Sequence, residues 1–217
     1  MKTLIIGYGE VGQALDAVLF TQYPTAVWDE QKKVFHEPDL KAEIIHICFP
    51  YSDKFIDDVK QYQEKYQPKY TVIHSTVPVG TSKQLNALHS PIRGLHPNLE
   101  SGIRTFIKFL GGDGASEVAD YFRRAGLTMQ VCDKSETTEL MKLLDTEYYR
   151  ACIEFTQRAK ELCIKHEVPF AEAYSLANIS YNEGYKQLGH PEFQRPVLQP
   201  IMTPIGGHCV IPNSKLI

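Results

Sequence analysis

The sequence predicts an α/β fold: a mostly parallel sheet with helices on both faces, followed by an all-α region built on a long helix. Two observations carry this expectation. Short apolar runs (TLII, TAVWD, AEIIHICFP, KYTVIHST, TFIKFLGG and LTMQVC) alternate with helical stretches through the first 133 residues, and alternation of β and α at such spacing builds a parallel sheet. From Ser135 onward a single apolar stripe at helical spacing takes over.

The first element sets the pattern. KTLIIGYGEVGQALDAVLF opens as an apolar strand, passes through Gly7, Gly9 and Gly12 in GxGxxG spacing, and continues as a helix with Val11, Leu15, Val18 and Leu19 at helical intervals. In a Rossmann-type domain the first glycine permits the tight turn, the second lets a pyrophosphate approach the backbone, and the third lets helix pack on strand. The phosphate charge then rests on free N–H groups at the helix start, which assigns Gly7, Tyr8, Gly9, Glu10, Val11 and Gly12 to a dinucleotide. The second strand, TAVWD, ends in Asp29, where a carboxylate would accept the adenosine ribose hydroxyls. That carboxylate repels a 2′-phosphate, no arginine stands nearby to receive one, and Lys32 and Lys33 are weak substitutes. The expected cofactor is therefore NAD.

The remaining elements repeat the unit. AEIIHICFP is a buried strand, residues 53–65 a helix, KYTVIHST a strand and TSKQLNAL a short helix; TFIKFLGG, a helix over 115–125 and LTMQVC complete the sheet. Ligands collect at the carboxyl ends of such strands. The turns there are 7–12, 49–52, 75–81 and, after a short apolar strand, 96–102; Pro50, Ser75 and Thr76 join the cofactor set on this ground.

The segment SETTELMKLLDTEYYRACIEFTQRAKELCIKHEV places Leu140, Leu143, Leu144, Ala151, Cys152, Phe155, Ala159, Leu162 and Cys163 on one stripe. Ser135, with Thr138 or Glu139 nearby, offers an N-cap, and Pro169 ends the helix. A helix of about 30 residues projects past a sheet of ordinary size, so a homodimer is expected to cover it. FAEAYSLANISYNEGYKQLG supplies further helix before proline-rich coil from His190. The expected division is an NAD-binding domain over 1–133 and a helical dimerisation and catalytic region over 134–217. Tyr148, Tyr149, Tyr181 and Tyr185 read as dimer or core packing rather than a base-stacking platform. Lys142 and Thr146, spaced i, i+4, share a face beside the stripe.

Composition narrows the class. With 217 residues, 43% hydrophobic and 23% charged, the chain can bury a full core, and a formal charge of −3 without a Lys/Arg cluster leaves no footprint for nucleic acid. No apolar run approaches the roughly 20 residues that span a bilayer, and MKTLIIGYGE turns polar and glycine-rich too soon for a signal peptide. A cytoplasmic protein is expected, acting on a small molecule. Cys48, Cys132, Cys152, Cys163 and Cys209 are odd in number and scattered, with no CxxC pair to suggest zinc or a redox dithiol. The first four sit in apolar surroundings and read as small core residues; Cys209, behind two glycines and a histidine, does not.

Four segments in order, GYGEVG with Asp29, HSTVPVGTS, ELMKLLDT and PIGGHCVIPN, give a chain that resembles the nucleotide-sugar 6-dehydrogenase family, which includes the UDP-glucose and UDP-N-acetylmannosamine dehydrogenases. The resemblance implies a short form lacking the C-terminal UDP-binding domain. It also implies a chemistry of polysaccharide biosynthesis: a primary alcohol is oxidised to an aldehyde by hydride transfer to NAD, a cysteine captures the aldehyde as a thiohemiacetal, a second hydride leaves a thioester, and water releases the acid. By this resemblance Cys209 is the nucleophile, with Gly206 and Gly207 opening its backbone to substrate. Lys142 stabilises the oxyanion or handles the hydroxyl proton, Thr76 helps hold the catalytic water, and Thr146 and Asn213 occupy catalytic positions. His208 contacts substrate or caps the turn.

Three positions depart from the family pattern. Thr146 stands where an asparagine donates to the oxyanion, Asn213 where an aspartate assists the water, and Pro97-Asn98 where proline precedes a glutamate tied to hydrolysis, unless Glu100 takes that place. Loss of a general base costs about 10²–10⁴ in rate, so the first oxidation is better supported than the hydrolysis. Three classes remain open: this dehydrogenase, a two-electron NAD-dependent dehydrogenase in which Cys209 only shapes the pocket, and an NAD-binding partner protein without turnover. His96, in a histidine-proline turn, fits the second class as well.

Overall fold

Alternation of apolar residues sets the sheet. The computed structural model describes residues 1–32, 34–35, 41–201 and 210–217. Its strands are β1 (Thr3–Ile6), β2 (Thr25–Asp29), β3 (Val34–Phe35), β4 (Ile44–Ile47), β5 (Tyr70–Ile73), β6 (Leu88–His89), β7 (Lys108–Gly111) and β8 (Met129–Cys132). They join in one eight-stranded sheet of order β3-β2-β1-β4-β5-β6-β7-β8, parallel except where β3 meets β2 and β6 meets β7. Successive side chains of a strand point to opposite faces. Ile5 and Ile44 pack with residues of α1 (Glu10–Leu19), α4 (Leu99–Thr105) and α5 (Ala115–Arg124), while Leu4, Ile6, Ile45 and Ile47 pack with α2 (Phe55–Tyr66). The Rossmann-type architecture expected from the sequence, with helices on both faces, is the one observed.

The chain starts in the middle of the sheet, steps outward to β2 and then crosses β1 to continue at β4. Between the carboxyl ends of β1 and β4 the connections leave in opposite directions, which opens a crevice.

Beyond the short helix α3 (Thr81–Gln84), the helical region consists of α6 (Ser135–Lys165), α7 (Ala177–Gln187) and α8 (Val210–Ser214). The chain divides into two compact units, Met1–Leu143 with Leu216–Ile217, and Leu144–Lys215. Among the described residues no helix is long and apolar enough to cross a membrane.

Several local expectations are corrected. Residues 99–102 are helical rather than turn: Leu99 and Ile103, four apart, are buried, and Glu100 pairs with Arg104 on the wet side at 2.9 Å. The strand expected over TFIKFLGG starts only at Lys108, because Thr105 ends α4 and Phe106 and Ile107 lie exposed. The two-residue strand β3 was not expected; it is too short to show a period. Glu139 does not cap its own helix. Its carboxylate crosses to α3 and accepts the backbone N–H groups of Gly80 at 2.6 Å and Ser82 at 2.7 Å. The second helix begins as a π-helical segment, Ala171–Leu176, before α7, and α8 interrupts the expected coil, with Pro212 in a first turn where its missing N–H costs nothing. Of the presumed core cysteines, Cys48 and Cys163 are buried, whereas Cys132 and Cys152 are partly exposed, at a strand end and on α6.

Candidate functional site

The crevice at the β1/β4 switch point holds a cavity of about 450 Å³ lined by Ile6, Gly7, Gly9, Trp28 to Lys32, Cys48, Phe49, Pro50 and, from α2, Asp58, Gln61 and Tyr62. Close packing makes its floor. Gly7 has a φ of +93°, and a Cβ there would stand 2.8 Å from the Phe49 nitrogen; a Cβ on Gly12 would stand 2.0 Å from the Gly7 carbonyl oxygen. A Cβ on Gly9, by contrast, would meet nothing within 4 Å. Gly9 precedes α1 without any side-chain cap, so the backbone donors of the first turn remain for a ligand. Open space beside Gly9, uncapped donors and a carboxylate at the end of β2 form a donor and acceptor set that fits a dinucleotide.

Asp29 is held firmly. Its Oδ2 accepts the Tyr8 backbone N–H at 2.6 Å, and its Oδ1 accepts those of Gln31 at 3.0 Å and Lys32 at 2.9 Å. Burial alone would raise its pKa, but these backbone donors and the Lys32 charge outweigh it and hold the carboxyl below its usual range. Tyr8 turns its ring inward, donating its hydroxyl to Asp16 at 2.8 Å. Lys32 donates to the Tyr8 carbonyl at 2.6 Å. Glu10, at the start of α1, accepts a hydrogen bond from the His96 Nδ1–H of the loop before α4. Val11 is partly buried against the core of that face.

Of the other expected cofactor residues, Pro50 lines the cavity, while Ser75 reaches it indirectly by donating to the carbonyl of the lining residue Phe49 at 2.5 Å. Thr76 is partly buried in the loop after β5. Lys142 is half-buried and donates to the Ile92 carbonyl at 3.0 Å, so its charge is oriented inward and not freely solvated. Thr146 lies one turn further along α6 and is buried; Asn213 is buried on α8. Both belong to the second unit. Cys209, with Gly206, Gly207, His208 and also Lys33, lies outside the described residues. Glu100 is exposed and engaged with Arg104.

Sequence reasoning missed Trp28, Glu30, Gln31, Asp58, Gln61 and Tyr62 as lining residues. The signal for the α2 trio was present: Asp58, Gln61 and Tyr62 stand at i, i+3 and i+4 on one helix face. It also missed a buried polar network beneath the strand ends. The His74 Nδ1–H donates to the Ser90 carbonyl at 2.8 Å, so His74 Nε2 accepts from His46 Nδ1–H at 2.9 Å, and His46 Nε2 accepts from Tyr121 Oη–H at 3.4 Å. His89 Nε2–H donates to Ser75 O at 3.2 Å, leaving Nδ1 to accept from the Thr138 hydroxyl at 2.9 Å. Lys108, also buried, donates to the Ser90 carbonyl at 3.3 Å. Burial, reinforced by the Lys108 charge, holds His46 at about 3, and burial holds His89 at about 3. Burial also lowers Lys108 to about 7. Cys48 borders the cavity, but burial pushes its thiol up to about 12, which leaves it inert as a nucleophile.

No family model matches the chain, and no curated protein matches it in sequence. Solved structures do share its fold. The UDP-N-acetyl-mannosamine dehydrogenase Cap5O from Staphylococcus aureus superposes with a TM-score of 0.70 at 17% identity over 100% of this chain and 65% of its own. An imine reductase from Bacillus cereus gives 0.61 at 14% identity, over 86% of this chain and 76% of its own. A conserved protein of unknown function, described as structurally similar to 3-hydroxyacid dehydrogenases, gives 0.61 at 13% identity, over 88% and 81%. At these identities the likeness is one of fold.

Proposed function

We propose that the chain is an NAD-dependent dehydrogenase that oxidises a primary alcohol of a sugar nucleotide or a related polar, sugar-like molecule. The observation that supports this most is the cavity at the switch point, where Gly9 leaves open space and Asp29 presents a fixed carboxylate. Bound NAD supplies the hydride acceptor. The chain does the rest: first-turn N–H groups of α1 carry the diphosphate charge, and Asp29 accepts the ribose hydroxyls with the lone pairs its three backbone donors leave over. Asp29, Glu30 and Asp58 against Lys32 give the cavity an acidic lining, which disfavours a 2′-phosphate and supports NAD over NADP.

In this reading Lys142, anchored on the Ile92 carbonyl, offers its ammonium to the oxygen that gains charge as the alcohol is oxidised. Thr146 adds one hydroxyl donor on the same helix face. Cys209 captures the aldehyde carbon through sulfur, an assignment that rests on the GGHC sequence. Neither Thr146 nor Asn213 supplies a base for hydrolysis, so release of the acid is the slow half of the reaction.

The test is incubation with NAD and a panel of UDP- and GDP-sugars and simple sugar alcohols while NADH is followed by absorbance. Two NADH per substrate, abolished by Cys209→Ala, is the expected result. The imine reductases among the structural neighbours favour a second reading, a two-electron enzyme that needs no thiol; one NADH per substrate, surviving Cys209→Ala, would establish it. Tight NAD binding with no NADH from any substrate would overturn both.

A further inference from the structure

We propose that Asp58 reads the base of the dinucleotide, selecting adenine through its exocyclic amine; this rests on the dinucleotide reading of the cavity. Once the glycine turn holds the diphosphate and Asp29 the ribose, the cavity wall left for the base is made by Trp28 and by Asp58, Gln61 and Tyr62 of α2. The Trp28 indole N–H donates to the Tyr62 hydroxyl at 3.2 Å, and the Lys65 ammonium stands 4.6 Å from the centre of the indole ring, so this aromatic wall is fixed before any ligand enters.

Asp58 is the one acceptor-only side chain in this wall, the donor-only indole N–H of Trp28 being already engaged by Tyr62. It is half-buried and lines the cavity, and while its backbone N–H donates to the Lys54 carbonyl at 2.9 Å, its carboxylate makes no hydrogen bond or ion pair among the described residues. A carboxylate is acceptor-only, whereas the amide of Gln61 takes either sense. Adenine presents an amine donor; hypoxanthine presents a carbonyl oxygen at the same position, which sets lone pairs against the carboxylate. Negative charge at the start of α2 does not account for Asp58, because the neighbouring Asp57, exposed in the same first turn, already supplies it.

Trp28 is the only tryptophan of the chain and borders the cavity, so its fluorescence reports binding without any turnover. Wild-type protein is titrated with NAD and with nicotinamide hypoxanthine dinucleotide, and the affinities are confirmed by calorimetry. NAD is expected to bind at least about tenfold more tightly. Asp58→Ala should bring the ratio close to one, mainly by weakening NAD, and Asp58→Asn should give an intermediate ratio. Asp57→Ala should leave it unchanged. Equal wild-type affinities, or a preference that survives Asp58→Ala, would overturn the assignment while leaving the dinucleotide site standing. Failure of wild-type protein to bind either dinucleotide would remove both.

Discussion

The Asp29 carboxylate accepts the Tyr8 backbone N–H at 2.6 Å, so the acidic end of β2 and the glycine turn after β1 are one piece. The residue expected to bind ribose therefore also holds the turn expected to bind diphosphate. Asp29→Ala should cost stability, at about 1–3 kcal/mol for any buried donor it orphans, as well as NAD affinity. Urea denaturation with NAD titration checks both; lost affinity with unchanged stability would separate the two roles.

Glu139 ties the long helix to the loop after β5 through the backbone of Gly80 and Ser82. Its side chain is fully buried. Glu139→Ala leaves two backbone donors without their acceptor, at about 1–3 kcal/mol each, and a lowered urea midpoint is the expected outcome. Glu139→Gln, which keeps one acceptor oxygen, should lose less.

Acid should unfold the protein through its histidines. His46 and His89 titrate at about 3 in the fold against an ordinary imidazole value of about 6.5, so the unfolded chain binds more protons between these values. Their stability contribution is complete above pH 6.5 and is lost as pH falls toward 3, at up to about 1.4 kcal/mol per unit for each histidine. Lys108 has the same sign in a higher window: stability rises between about 7 and 10.5 as its proton is lost in the fold. Lys108→Met should therefore raise the urea midpoint more at pH 6 than at pH 10.

On α6, Leu144, Tyr148, Phe155 and Leu162 are all about half exposed, at 55%, 56%, 56% and 48%. Leu144, Phe155 and Leu162 belong to the stripe read from the sequence, and Tyr148 to the tyrosines read there as dimer or core packing; we propose that this exposed apolar patch packs against a second copy of the chain. Sedimentation should give a dimer, and Phe155→Glu should shift it toward monomer. A monomeric wild type would end the homodimer proposal.

Much of the fold was legible because period and glycine spacing speak directly. β1, β2 and α1 follow from TLII, TAVWD and the GxGxxG turn, where Gly7 and Gly12 have no room for a side chain. The residues that escaped notice act through tertiary contacts. Glu139 looks like a local cap until α3 arrives beside it, and Leu99 and Ile103 announce a helix only once there is a face to bury them. The histidine network is illegible for the same reason, since His46 and His89 sit within apolar strands and His74 directly after one, where neighbours decide whether a ring is buried or bound. At the site, the glycine turn and Asp29 were readable, whereas Asp58 and Tyr62 required knowing which face of α2 meets the crevice.

The most direct test is a calorimetric titration of NAD into wild-type protein and Gly9→Val. The new side chain would project into space where nothing beyond its own chain neighbours lies within 4 Å of the Cβ position, so the fold should survive and the ligand should be excluded. Saturable 1:1 binding to the wild type, lost in a Gly9→Val protein that melts at the same temperature, is the predicted result. No binding to the wild type at millimolar NAD, or equal binding to both, would contradict the account.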